Sequence, residues 1–221
     1  MDNKNILGNP PSAVIPALLS VFMWSTVATG FKLGLSVFAV EQLLFLGTGV
    51  SWLIFFGYAA INGQLSLAAD DRKLVCLLGL INPTAYYLIL FAAYDRLPAH
   101  IAQPINYTWA ITLALLAVPL LGQRLNKRTL AGILISYLGV VLLVLTTPAE
   151  GGHVDALGIT LALLSTVLWA SYWLLNTRSK AQPASIMFWS FTVALPLISA
   201  ICWYGPGLPT LDTTAFGYAL W

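Results

Sequence analysis

Apolar runs of roughly 20 residues follow one another along almost all of this 221-residue chain, separated only by brief polar breaks. That is the length a helix rising about 1.5 Å per residue needs to cross a hydrocarbon layer about 30 Å thick. Reading runs against breaks predicts seven spans, at about Ala13 to Val37, Gln42 to Ile61, Lys73 to Tyr94, Ala99 to Leu121, Thr129 to Thr147, Leu157 to Asn176 and Ser185 to Tyr204. An eighth begins near Thr214. The link from Asp95 to Pro98 is short, but its charges Asp95 and Arg96, followed by a proline, set the boundary between the third and fourth spans. Within hydrocarbon each backbone N–H and C=O must find a partner inside the protein, so the expected fold is an all-α integral membrane bundle in contact with the lipid bilayer.

Composition excludes the competing classes. Only 8% of the residues are charged and 59% are hydrophobic, with a mean hydropathy of +0.84. A soluble domain carries about a quarter charged residues, and no polar shell can be built from this chain. The net charge of +2 is small and its bases lie in short clusters, which leaves no basic stripe for nucleic acid. Cys76 and Cys202 both fall inside apolar runs, where a thiol packs as a small hydrophobe. No Gly-x-x-x-x-Gly-Lys-Ser/Thr phosphate loop occurs, so gradients rather than ATP are the expected power source, and no cofactor is implied. His153, with Glu150 and Asp155 nearby, sits in a polar glycine-rich loop and is too sparse a set to read as a metal site.

The bases have a topological meaning. Lys4, Arg72, Lys73, Arg124, Lys127, Arg128, Arg178 and Lys180 lie on the side of the N-terminus, against Arg96 and Lys32 on the other. Eight against two places the N-terminus in the cytoplasm. The first apolar run is followed by no small-residue cleavage site and is expected to stay in the protein as its first helix. The last residues, Phe216 to Trp221, are apolar without a polar flank, as in the middle of a span, and the expectation is a chain that continues beyond them.

The chain also repeats itself. Leu18-Leu19-Ser20-Val21-Phe22-Met23-Trp24-Ser25 in the first span returns as Leu163-Leu164-Ser165-Thr166-Val167-Leu168-Trp169-Ala170 in the sixth, an offset of 145 residues. Five spans fit into that offset, and an odd number makes the two copies point in opposite directions across the bilayer. Two inverted halves can exchange conformations around a midplane site, which is the symmetry of alternating access.

Several segments resemble one family. Trp24-Ser25-Thr26 with Lys32, Ala92-Ala93-Tyr94 through Pro104-Ile105-Asn106, and Leu120-Leu121-Gly122-Gln123-Arg124-Leu125 followed by Gly132 and Gly139 are similar to signatures of the drug/metabolite transporter superfamily, of the ten-helix type built from two five-helix EamA units. The usual acid after the first glycine of the third segment is here Gln123. Asn106-Tyr107-Thr108-Trp109 further resembles a segment of bacterial aromatic amino-acid exporters, with Ala110 where they have proline. The resemblance implies an inverted repeat of five-helix units (5+5), about seven and a half helices of it present here: residues 1–147 form the first unit, 148–156 a linker and 157–221 part of the second. It also implies a bacterial inner membrane and a small-molecule substrate moved outward by alternating access. Membrane-embedded enzyme and sensory or structural bundle are the alternatives. The first lacks a cluster of His, acid and nucleophile, the second a soluble domain to receive a signal. The oligomeric state is left open.

Polar and aromatic groups inside spans are the candidate substrate-binding residues, because hydrocarbon penalises them unless they face a cavity or a partner. Gln103, Asn106, Tyr107 and Ala110 share a face of the fourth span, with Pro104 loosening its backbone ladder; interhelical hydrogen bonding is the competing role. Asn82 and Tyr86 share a face of the third, where Pro83 predicts a bend or break. In the sixth, Ser165, Trp169, Tyr172 and Asn176 form a stripe at offsets of four, three and four, able to stack a planar substrate. Trp24 serves either the cavity or the interfacial belt. Trp173, Trp189, Trp203 and Tyr204 read as packing or belt residues. Lys32 either attracts a carboxylate or extends its ammonium to the membrane interface. No acid lies mid-span. Gly132 and Gly139 with Ala131 and Ser136 predict a close helix contact along the fifth span.

Overall fold

The computed structural model describes residues 11–146 and 155–210, with side chains from residue 14 onward. They form helices joined by short turns: α1 (Pro11–Leu35), α2 (Val40–Ile61), α3 (Ala69–Gly79), a π-helical segment (Leu80–Ala85), α4 (Tyr86–Arg96), α5 (Ala99–Tyr107), α6 (Trp109–Leu121), α7 (Lys127–Thr146), α8 (Ala156–Asn176) and α9 (Pro183–Tyr204). Among the described residues there is no strand, and 7 spans are long and apolar enough to cross a membrane. This is an all-helical, multi-pass membrane protein. The spans fall where the apolar runs predict them; the eighth, near Thr214, and the loop holding His153 lie outside the described residues.

Two spans are interrupted, one beside a proline and the other a turn after one. In the span Ala69–Arg96 the helix opens at Asn82 (φ −139°, ψ 116°), immediately before Pro83, which lacks the N–H the ladder needs. The freed backbone is re-satisfied locally: Thr84 Oγ1 donates to the Gly79 carbonyl at 2.9 Å. In the span Ala99–Leu121 the expected loosening at Pro104 appears one turn later, at Thr108, where the Thr108 N–H and hydroxyl both donate to the Ile105 carbonyl, at 3.1 and 2.8 Å. There α5 ends and α6 begins.

The packed centre is α4 with α8, flanked by α5 and α6, and the main core cluster runs through Leu78, Tyr94, Ile101, Ile105, Ala162 and Tyr172. On the other side α2 lies along α9, and α3 crosses α9 so closely that a Cβ on Gly79 would stand 2.6 Å from the Ser190 carbonyl oxygen. That tight crossing falls on Gly79 and not, as the small-residue pattern predicts, on Gly132 and Gly139, which have open space around them. Spacing alone cannot say which glycine meets a neighbour, because the helix face presented is chosen by the partner. The loops are tied to helix ends: Asp71 Oδ1 accepts from Ser179 Oγ at 2.9 Å, and Trp189 Nε1 donates to the Leu65 carbonyl at 2.8 Å. Trp203 and Tyr204, 64% and 88% exposed at the end of α9, suit an interfacial belt.

Candidate functional site

A cavity of about 610 Å³ opens between α1, α2, α4 and α5. Its wall is mostly aromatic and aliphatic, and its polar groups are Thr26, Gln103, Asn106 and the hydroxyls of Tyr86, Tyr87, Tyr94 and Tyr107. Among the described residues no acid or base lines it.

Five of the ten residues expected from the sequence meet here: Trp24 from α1, Tyr86 from α4, and Gln103, Asn106 and Tyr107 from α5. The break at Asn82 and Pro83 restarts the helix at Tyr86 and so sets the angle at which its ring enters. Asn106 is buried, 4% exposed, and ties three helices together. Its Nδ2 donates to Ser165 Oγ on α8 at 3.0 Å, and its Oδ1 lies 3.5 Å from the Tyr86 hydroxyl, at the outer limit of a hydrogen bond. Gln103 Oε1 accepts from the Tyr94 hydroxyl.

The other five lie around this wall without lining it. Trp169 backs it: its ring stacks on Tyr86 (centroids 4.5 Å apart, 29° between planes) and on Tyr172 (5.7 Å, 24°), and meets Trp24 edge-on at 6.3 Å. The stripe on α8 therefore continues a ladder of rings, Tyr86, Trp169, Tyr172, away from the cavity, rather than lining it. Beyond lie Asn82, whose side chain faces the Tyr172 hydroxyl, and Asn176. The Oδ1 atoms of both asparagines and Trp169 Nε1 are buried with no hydrogen-bond partner among the described residues. Lys32 is engaged elsewhere: its ammonium donates to the Tyr94 carbonyl at 2.6 Å, where it satisfies one of the open carbonyls at the C-terminal end of α4. In this structure the ammonium meets a backbone carbonyl at a helix end and not a carboxylate.

Phe22, Phe31, Tyr87 and Phe91 complete the wall and carry no signal in the sequence, since an aromatic residue in an apolar run reads equally as core or lipid contact. Phe31 shows how they join: it packs edge-on against Phe91 at 4.7 Å, Tyr94 at 5.6 Å and Tyr87 at 6.2 Å.

Membrane-spanning helices, two of them interrupted, surround an aromatic cavity whose described lining carries no charged side chain, the architecture of a membrane protein with a small-molecule site. The EamA-like transporter family matches residues 11–145, and the chain belongs to that family of membrane transporters. It is also 27% identical, over 233 aligned positions covering 93% of this chain and 75% of the relative, to an Escherichia coli (strain K12) protein named "Probable amino-acid metabolite efflux pump". No solved structure matches it.

Proposed function

We propose that the protein is a secondary exporter of small organic metabolites of amino-acid type, working by alternating access, and that the cavity between α1, α2, α4 and α5 is its substrate site. The cavity carries this reading: about 610 Å³ holds an amino-acid-sized molecule, its rings offer stacking surfaces, and Gln103, Asn106 and Tyr86 offer polar anchors. The efflux assigned by name to the Escherichia coli relative supplies the direction.

The inverted repeat supports alternating access. Trp24 and Trp169 hold the same place in the two copies of the repeated segment, and their rings touch at 6.3 Å, as equivalent residues beside a two-fold axis do. In this reading residues 1–147 are one five-helix unit and 157–221 belong to the second. The N-terminus lies on the cytoplasmic side of a bacterial inner membrane, in keeping with the eight bases on that side.

Counterflow of labelled phenylalanine and labelled alanine in liposomes holding the full-length protein tests the substrate class. Exchange of either supports amino-acid export, and stacking favours phenylalanine; silence for both overturns it. Orientation has its own test. A cysteine placed at Asn126 should react only with reagents that enter the cytoplasm, and labelling by an impermeant reagent from outside intact cells would reverse the topology.

A further inference from the structure

Asn106 and Ser165 together make the cavity selective in a way that neither does alone. A serine hydroxyl has one proton to donate and two lone pairs to accept with. Ser165, fully buried on α8, directs its proton to the Ala162 carbonyl of its own helix at 2.6 Å, a short and strong contact. Toward Asn106, 3.0 Å away, it therefore presents a lone pair. A primary amide carries its donor and acceptor on opposite arms, so Asn106 must turn Nδ2 to Ser165 and Oδ1 the other way. Asn106 stands in the cavity wall, and among the described residues the donor to its Oδ1 is the Tyr86 hydroxyl, which stands off at 3.5 Å and also accepts from Nδ2 at 3.4 Å. A buried carbonyl oxygen with one distant donor is costly to leave so and is open to a better one.

The charge of the wall restricts the donor further. Lys32 has its ammonium on the Tyr94 carbonyl, and among the described residues no acid or base lines the cavity. A ligand with net charge would enter without a counter-ion, in a region where unpaired charge is expensive.

We propose that Ser165 is a positioning residue that locks the Asn106 carbonyl toward the cavity, so that the site selects ligands with an N–H or O–H donor and no net charge, zwitterions included. This rests on the export reading above and adds the chemical rule by which that site chooses. The repeated segment sharpens it: Ser20, at Ser165's place in the first copy, also directs its proton to a carbonyl of its own helix, Pro16 O at 2.8 Å, but among the described residues no side-chain amide bonds to it.

The test uses counterflow of labelled L-phenylalanine by the full-length protein in liposomes, inhibited by its N-methyl, N,N-dimethyl and N,N,N-trimethyl derivatives. At neutral pH all four are zwitterions; the first three keep at least one N–H and the last has none. The wild-type protein should accept the mono- and dimethyl forms within about threefold of phenylalanine and the trimethyl form about tenfold or more worse, the ratio that about 1.4 kcal/mol produces. In Ser165→Ala the amide is free to turn, and the trimethyl penalty should fall below about threefold while counterflow persists. If Ser165→Ala does not insert, Ser165→Cys carries the test, since a thiol is a weak acceptor and should lower the trimethyl penalty in the same direction while an unchanged penalty removes the role of Ser165. A penalty rising evenly with each methyl group would mean steric exclusion, and an unchanged trimethyl penalty in the variant would remove the role of Ser165; either overturns the proposal. Absence of phenylalanine counterflow in the wild type is a different failure, that of the amino-acid export reading, and donor selectivity falls with it.

Discussion

Helices α1 and α8 carry the same Leu-Leu-Ser pattern with a tryptophan four residues after the serine, yet they live in different surroundings. In α8 the residues Gly158, Ala162, Ser165, Thr166, Trp169 and Tyr172 are buried, and 44% of its most apolar window is enclosed by protein. In α1 that share is 6%, and Leu18, Leu19, Phe22 and Met23 are exposed. Trp169 is 6% exposed and Trp24 44%. The reason is the neighbours: α8 is held between α4, α5 and α6, whereas α1 leans on α4, α5 and α2 along one edge. A shared segment thus specifies a helix and the order of its side chains, while burial is decided by what packs against it. In a membrane such a difference is tolerable, because an apolar face suits lipid tails and neighbouring helices alike.

The comparison predicts its largest effect at the tryptophans. Trp169→Ala should leave a cavity beneath Tyr86 and Tyr172 and cost about 3 kcal/mol, whereas Trp24→Ala should cost well under half of that. Thermal unfolding of both variants in one detergent checks it; equal losses would mean that α1 is as tightly held as α8.

Next come the glycines. Gly79→Ala forces a methyl group to 2.6 Å from the Ser190 carbonyl and should destabilise by about 1–3 kcal/mol, while Gly132→Ala, in open space, should be neutral or stabilise by up to about 1 kcal/mol. A cost at Gly132 would show that α7 has a partner the described contacts do not include.

A smaller difference separates the two serines. Ser165→Ala removes the nearer of the two acceptors of Asn106 Nδ2 and should cost about 0.6–2 kcal/mol, against less than about 0.5 kcal/mol for Ser20→Ala. Denaturation midpoints of the two variants decide it.

The smallest effect concerns the start of α8. Asp155 accepts from the Leu157 and Gly158 N–H groups at 2.8 and 3.2 Å and pairs with Arg96 at 3.2 Å. The Gly158 N–H first, and the Arg96 guanidinium second, hold its carboxyl below the usual range. The sign follows from linkage: with the folded value depressed, the contribution is complete above the unfolded value of about 3.9 and is lost as pH falls from there through the folded value. Unfolding measured down to pH 3 should show that loss in the wild type and not in Asp155→Asn.

Length and hydropathy determined the spans on their own, because crossing hydrocarbon leaves a backbone no choice but to close its hydrogen bonds within each span. Pro83 likewise announced the break at Asn82, since a missing N–H acts locally, whatever packs nearby. The polar candidates Gln103, Asn106 and Tyr86 were legible for a related reason: buried hydrogen-bonding groups are costly in lipid and stand out in an apolar run. Tertiary structure alone decided the rest. It turned Lys32 onto the Tyr94 carbonyl, set Trp169 behind the cavity wall, placed Phe31 and Phe91 within it, and gave the close helix crossing to Gly79. Each of these depends on which helix arrives from a distant part of the chain and which face it presents. Apolar surface is non-directional, and residue type alone records neither.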